Sequence, residues 1–236
     1  MGRRMPRVYL IRHGETEWSL NGRHTGVTDI PLTENGEKMV KEMSPKMMGK
    51  GKLINPNHLR HIIISPRQRA QRTAELVSDL FGDNKPIKCN FTTDPDVGEW
   101  DYGKYEGMLT KDIRKDKADW NIWDDGCPPG ETPGETPQQM TERVDRVIAK
   151  VRAIHQAAED AAETPAQADY ADVIIFSHGH FSRSFIARWC DLPIKTGYHF
   201  SAEAGGLAVL GYQHQTLKEP SLLGLNWYTE DALERR

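Results

Sequence analysis

The amino-acid sequence predicts a three-layer α/β/α sandwich with a mainly parallel sheet, folded as a single domain over residues 1–236. Compact apolar runs rich in β-branched residues recur at residues 7–11, 61–64 and 172–176, as in strands that are buried on both faces. Segments with apolar residues at helical spacing follow these runs, and strands that alternate with helices form parallel sheets. A chain of 236 residues with 37% hydrophobic content is sufficient for one such core.

The first apolar run ends abruptly at Arg12-His13-Gly14, which predicts a buried strand that meets a turn. Residues 21–31 contain Asn-Gly, Thr-Gly and Pro and therefore predict a loop. The next stretch, residues 33–47, opens with a threonine that is a suitable N-cap and predicts a helix.

The second apolar run stops at Ser65-Pro66, and the spacing of apolar residues predicts a helix over residues 68–81. A third strand is predicted at residues 87–91. Farther along, Gly-Glu-Thr-Pro occurs twice within residues 130–137, which is typical of a small loop duplication.

The last part of the chain returns to regular elements. A helix is predicted over residues 138–162, because its apolar residues recur at three- and four-residue steps. The remaining predicted elements are a strand at 172–176 that ends in Ser-His-Gly, a helix at 181–189, and strands at 207–212 and 223–228.

Charge and cysteine content exclude several classes of function. The chain has 31 basic and 34 acidic residues, so we expect no nucleic-acid partner and no membrane partner, and any anion site must be local. Three widely spaced cysteines without a CxxC pair indicate neither a disulfide framework nor a zinc site. The apolar run at residues 7–11 is too short for a signal sequence. We therefore expect a cytoplasmic protein without a metal ion or cofactor, and the sequence leaves homo-oligomerisation open.

Two separate apolar strands share one design, because each ends in a His-Gly pair, His13-Gly14 and His178-Gly179. Ligands of open α/β sheets bind beyond the carboxyl ends of the strands. Both imidazoles therefore project into one crevice if the two strands are neighbours. A neutral imidazole can attack phosphorus in covalent catalysis.

Arginines stand at matching positions in the sequence. Arg12 precedes the first of these histidines, and Arg67, Arg69 and Arg72 open the helix that follows Ser65-Pro66. Planar guanidinium groups match phosphate oxygens, whereas a metal site would favour imidazoles without cationic neighbours. The pattern therefore indicates phosphate chemistry.

Phosphoryl transfer from an ester also needs a proton donor for the departing alkoxide, and Glu99 is the candidate. Its flanking residues Trp100 and Tyr102 would shield its carboxyl group from water and favour the protonated form. Asp101 and Glu106 remain alternatives that the chemistry alone does not separate.

At this point the motifs carry a family resemblance. Residues 10–16 resemble the Arg-His-Gly signature of the histidine phosphatase superfamily, which includes the cofactor-dependent phosphoglycerate mutases. Residues 65–73 resemble its second arginine motif and residues 177–180 its second histidine motif. Aromatic stretches at 99–110 and 120–127 resemble the fungal sedoheptulose-1,7-bisphosphatases within that superfamily. The resemblance implies a phosphatase that acts on small phosphate esters, with a sugar bisphosphate as the expected partner molecule.

The resemblance also implies roles for individual residues. His13 would form a phosphohistidine, and Glu99 would protonate the leaving group and then activate water. Arg12, Arg69 and His178 would hold the transferred phosphate. The candidate substrate contacts are Thr25, Gly26, Ser65, Trp100, Tyr102, His180 and Arg183. Trp100 is equally compatible with packing in the core.

Two other functions stay open at this stage. One is mutase chemistry of the phosphoglycerate type. Ser19 argues against it, because those mutases usually carry asparagine at this position. The other is a non-catalytic, phosphate-binding regulatory module. We interpret five histidines outside the motifs as solvated or structural: His24, His58, His61, His155 and His214.

Overall fold

The computed structural model describes residues 4–78, 89–162 and 171–227. The strands are β1 (Val8–Arg12), β2 (Leu59–Ile64), β3 (Asn90–Thr93), β4 (Asp172–Ser177), β5 (Leu207–Tyr212) and β6 (Pro220–Gly224). The helices are α1 (Glu17–Asn21), α2 (Glu34–Met47), α3 (Gln68–Ser78), α4 (Thr110–Asp116), α5 (Ile122–Asp125), α6 (Pro137–Asp160) and α7 (Gly179–Trp189). Single 3₁₀ turns lie at Pro56–His58, Pro95–Val97 and Gly103–Tyr105, and a longer one at Ile194–His199.

The six strands form one open sheet in the order β3-β2-β4-β1-β5-β6. The first four strands in this order are parallel, whereas β5 runs antiparallel to β1 and β6 antiparallel to β5. In the β1–β4 pair, Arg12 lies opposite Ser177. Because the two strands end in register, His13 and His178 leave the sheet side by side.

Helices cover both faces of the sheet, as the alternation of side chains along β1 shows. Val8 and Leu10 belong to a core cluster that includes buried residues of α6 and α7. Tyr9 and Ile11 belong to a second cluster that includes buried residues of α2 and α3. Successive side chains of a strand point to opposite faces, so the two clusters are the two sides of one central sheet. The predicted three-layer α/β fold is confirmed.

Local sequence signals explain where the helices begin. Thr33 caps α2 by accepting a hydrogen bond from the backbone N–H of Gly36. Thr136 and Gln139 form a reciprocal capping box at the start of α6, and Pro137 occupies the first turn, where its missing N–H costs nothing. These caps satisfy donors that have no partner within the helix.

Some predicted boundaries differ from the structure. The last strand lies at Pro220–Gly224 rather than at 223–228. It begins with a proline, which is tolerated at the first residue of an edge strand. The third strand is Asn90–Thr93 rather than 87–91. The predicted helix end at residue 81, the strand start at residue 87 and the final position 228 lie outside the described residues. The polar segment before α6 contains α4 and α5, which the sequence did not predict.

Within the described ranges, no helix combines the length and the apolar composition needed to cross a membrane.

Candidate active site

A cleft of about 540 Å³ opens where β1 ends and α7 begins. Its volume lies within the range of about 300–1,000 Å³ that is typical of small-molecule sites. The predicted site residues that line it are Arg12, His13, Thr25, Glu99, Tyr102, His180 and Arg183. The remaining five, Gly26, Ser65, Arg69, Trp100 and His178, lie outside its lining.

His13 is buried, with 5% of its surface exposed, and one hydrogen bond fixes its tautomer. The Nδ1 atom of His13 lies 2.7 Å from the carbonyl oxygen of Gly14. A carbonyl can only accept, so Nδ1 carries the proton and Nε2 keeps its lone pair. Burial, and then the charges of Arg12 and Arg69, hold the pKa of His13 well below its usual range. The imidazole is therefore neutral and nucleophilic at neutral pH.

Arg12 presents an unsatisfied donor at the same end of the cleft. Its Nη1 donates to the carbonyl of Ala202 at 2.7 Å, whereas its Nε is buried without a hydrogen-bond partner among the described residues. A buried donor of a charged group is costly to leave unpaired, so an anion at this place would supply the missing acceptor.

Behind His13 lies a fully buried layer formed by Ser65, Arg69 and His178. The rings of His13 and His178 pack edge to face with centroids 5.2 Å apart. Arg69 Nε donates to Nδ1 of His178 at 3.3 Å, which leaves Nε2 of His178 to donate to Ser65 Oγ at 2.7 Å. Burial lowers the pKa of His178 well below its usual range, and the charge of Arg69 adds to this effect. Both ring nitrogens of His178 are thus engaged by protein groups.

Arg69 also holds the loop at residues 25–28 in place. Its guanidinium donates to the carbonyl oxygens of Thr28, Gly26 and Thr25 at 2.8, 3.0 and 3.1 Å. Only glycine fits at position 26, because a Cβ there would lie 2.9 Å from a carboxylate oxygen of Glu106 and would overlap the carbonyl of Trp100.

Glu99 reaches the first turn of α7 from its own loop. Its Oε1 accepts the backbone N–H groups of Phe181 and Trp100, both at 2.9 Å, and its Oε2 accepts that of His180 at 3.0 Å. The helix N-terminus favours a negative charge at this place. Because Oε1 has two donors and Oε2 only one, Oε2 is the oxygen with room for a proton.

The two alternative acids are directed elsewhere. Glu106 accepts the backbone N–H groups of Gly26 and Thr28, so it supports the loop beside Arg69. Asp101 accepts the backbone N–H of Gly103 at 2.9 Å and the hydroxyl of Thr132. Neither carboxylate lines the cleft.

The expectation that Trp100 contacts substrate is not met by its placement. Its side chain has no exposed surface, and its Nε1 donates to the carbonyl of Glu135 at 2.8 Å inside the core. Trp100 therefore packs beneath the site. The expected shielding of the Glu99 carboxylate by this ring is not found, because backbone N–H groups surround that carboxylate instead. Gly26 and Ser65 likewise support the site from outside the cleft lining.

The far wall of the cleft is aromatic and cationic. Tyr102 Oη lies 2.7 Å from Nδ1 of His180. Arg183 donates through Nε to the carbonyl of Gly197 at 3.0 Å and lies over the ring of Trp123 at 4.9 Å. This arrangement combines a fixed positive charge with flat, partly apolar surfaces.

The sequence analysis missed several residues of the cleft. His24, interpreted as solvated or structural, lines it, as do Arg23 and the segment from Tyr198 to Glu203. The signal was present in part, since Arg23 and His24 directly precede the Thr25-Gly26 motif. No group of His, Cys, Asp and Glu side chains among the described residues could hold a metal ion.

Comparisons with known proteins place this site in a family. Residues 8–226 match the model of the histidine phosphatase superfamily (branch 1). The chain is 34% identical to sedoheptulose 1,7-bisphosphatase of Saccharomyces cerevisiae, over 92% of this chain and 91% of that protein. It is 35% identical to an acid phosphatase of Mycobacterium tuberculosis, over 98% of both chains.

A solved structure extends the similarity to the fold. The structure of an open reading frame product from Mycobacterium tuberculosis superposes with a TM-score of 0.72 at 32% identity, covering 94% of this chain and 97% of that one. Family model, relatives and fold agree over nearly the whole length, and the chain belongs to the histidine phosphatase superfamily, branch 1.

Proposed function

We propose that the protein is a phosphatase that hydrolyses a sugar bisphosphate such as sedoheptulose 1,7-bisphosphate, through a phosphohistidine at His13 with Glu99 as proton donor. One observation carries the proposal. A neutral His13 keeps a free lone pair on Nε2 in a cleft where Arg12 offers a buried, unpaired N–H. A nucleophile beside an unsatisfied cationic donor is the arrangement that attack on a phosphate ester requires.

In the first step, Nε2 of His13 attacks phosphorus while the bond from phosphorus to the ester oxygen breaks. The departing oxygen takes a proton from Oε2 of Glu99, so an alcohol leaves and phosphohistidine remains. Arg12 stabilises the charge on the phosphoryl oxygens during this transfer.

In the second step, water attacks the phosphohistidine and the N–P bond breaks. Glu99, now ionised, takes the proton from that water, and the backbone N–H groups at the start of α7 stabilise its carboxylate. Inorganic phosphate leaves, and His13 returns to its neutral form.

The choice of a sugar bisphosphate is supported by the yeast relative and by the cleft itself. A second cation, Arg183, lines the same cleft as Arg12, so each end of a bisphosphate has an arginine to bind. Arg69 and His178 support the catalytic end from behind, where they hold the Thr25 loop and the ring of His13.

The test is phosphate release from sedoheptulose 1,7-bisphosphate by the wild-type protein and by the His13→Asn variant. We expect release of one phosphate per sugar in the wild type, and in the variant neither turnover nor acid-labile phosphate labelling. His214→Asn is the matched control, since His214 lies outside the cleft at a positive φ of 49°, which asparagine tolerates. Undiminished turnover in His13→Asn would refute the nucleophile. Phosphoryl exchange between substrates without release of phosphate would indicate a mutase.

A further inference from the structure

A neutral polar wall lies in the cleft that Arg12, Arg23 and Arg183 also line. It consists of His24, Tyr102 and His180, whose rings are mutually in contact, with centroids 4.7 Å apart for His24–Tyr102, 5.8 Å for Tyr102–His180 and 6.2 Å for His24–His180. The charges of both Arg183 and Arg12 act on His180, so both arginines lie near this wall.

His24 is held rigidly in this wall. Its backbone N–H donates to the carbonyl of Met108 at 3.0 Å, and its carbonyl accepts from the N–H of Gly107 at 2.8 Å. Its Nε2 lies 3.2 Å from the hydroxyl of Thr110. For the other ring nitrogen, Nδ1, residues 4–78, 89–162 and 171–227 supply no hydrogen-bond partner, and it is not sealed from solvent.

The protonation state of His24 decides which ligand group it suits. Burial lowers the pKa of His24 from 6.5 to about 4, so the ring is neutral at pH 7 and adds no charge toward a phosphate. A neutral imidazole has one donor and one acceptor. The hydroxyl of Thr110 can serve as either partner of Nε2, so Nδ1 can donate or accept. Sugar hydroxyl groups also do both, whereas a phosphate dianion only accepts.

We infer that His24 is a specificity-determining residue that binds a hydroxyl group of the substrate's carbon chain, between the phosphate at His13 and the cation at Arg183. The inference rests on the proposed function and narrows it to phosphate esters of polyhydroxylated chains. Tyr102 supports the role, because its ring packs against His24 at an interplanar angle of 36° and helps to fix the plane of the imidazole.

The test compares two bisphosphates that differ only in hydroxyl and carbonyl groups, sedoheptulose 1,7-bisphosphate and heptane-1,7-diol bisphosphate. The readout is the ratio of their kcat/KM values, which a change in the amount of folded protein does not alter. We expect the wild type to prefer the sugar and His24→Phe to reduce that preference about tenfold through a higher KM for the sugar, as the loss of one hydrogen bond predicts. Phenylalanine keeps an aromatic ring against Tyr102 and removes both ring nitrogens.

Two further variants make the result specific. His24→Gln restores a polar group and should recover part of the preference, and His61→Phe, outside the cleft, should keep the wild-type ratio. A wild-type ratio in His24→Phe would overturn the inference while leaving the phosphatase proposal intact. A wild type that hydrolyses neither bisphosphate, yet releases phosphate from p-nitrophenyl phosphate, would instead refute the proposed substrate and the inference with it.

Discussion

His13 and His178 pack edge to face with ring centroids 5.2 Å apart, and their backbones leave β1 and β4 in register. The backbone N–H of His13 donates to the carbonyl of Ser177 at 2.9 Å, so the sheet itself fixes the spacing of the two rings. The proximity of the two histidines therefore results from strand pairing. Side-chain hydrogen bonds then determine which ring nitrogen of each histidine carries the proton.

The hydrogen bond between Ser65 and His178 predicts a combined effect on stability and catalysis. In Ser65→Ala, the Nε2–H of His178 loses its partner in a fully buried place, so the free energy of unfolding should fall by about 1–3 kcal/mol. We expect kcat/KM to fall about tenfold, because the ring behind His13 is no longer fixed. Urea denaturation measures the change in the free energy of unfolding, and steady-state kinetics measure the change in kcat/KM. Ser221→Ala, on the edge strand, is the control and should change stability by less than about 0.5 kcal/mol.

The low pKa of His13 predicts the acid side of the pH profile. The nucleophile is the neutral ring, so phosphorylation of the enzyme should stay at full rate as the pH falls through 6.5 and should decline only at lower pH. Arg12 is one cause of the low pKa, and Arg12→Gln should therefore shift this limb to higher pH as well as slow the reaction. Rapid-quench measurement of phosphoenzyme between pH 4 and 8 tests this. An acid limb at the same pH in Arg12→Gln would contradict the electrostatic assignment, and Arg146→Gln, outside the lining of the cleft, serves as control.

The position of Glu99 predicts a dependence on the leaving group. Glu99→Gln should lower kcat for alkyl phosphates by roughly 10²–10⁴-fold, and much less for aryl phosphates, whose leaving groups need no proton. Asp101→Asn is the matched control, since Asp101 lies outside the cleft. Equal losses for alkyl and aryl phosphates in Glu99→Gln would instead indicate a role in binding.

Buried histidines predict loss of stability in acid. Burial lowers the pKa of His155 to about 3, against 6.5 for the unfolded chain. The neutral, buried His155 stabilises the fold fully above pH 6.5. As the pH falls below 6.5, this histidine binds a proton in the unfolded state before it does so in the folded state. Stability should therefore decrease by about 1.4 kcal/mol per pH unit for this group between pH 6.5 and 3. His155→Gln should show a shallower dependence of the unfolding free energy on pH between 7 and 5. The same pH dependence of the unfolding free energy in the wild type and in His155→Gln would exclude His155 as its cause.

The sequence predicted the elements whose signals are local. The strands β1, β2 and β4 needed only their apolar runs and the turn signals that end them, α2 its N-cap threonine, and α6 its apolar periodicity. The His-Gly pairs after β1 and β4 were recognisable for the same reason. Helices α4 and α5 were missed because they are short, at seven and four residues, and carry few apolar positions.

The errors within the site have a different cause. Glu99 and Trp100 are neighbours in the sequence, yet one carboxylate lines the cleft and the other side chain is sealed in the core. No periodicity governs an irregular loop, so the direction of each side chain depends on distant partners such as Glu135. The place of His24 in the cleft was missed for the same reason, since the residues from Gly107 to Thr110 that hold it are remote in the chain.

The position of β1 between β4 and β5 determines when during synthesis the site can exist. The ribosome makes His13 before both neighbours of its strand, and the carbonyl of Ala202 that binds Arg12 comes after β4. The backbone N–H of Gly205, which donates to the carbonyl of His13 at 2.9 Å, is also a late product. A nascent chain that ends before this segment contains His13 but lacks the backbone groups of Ala202 and Gly205 that complete the cleft around it.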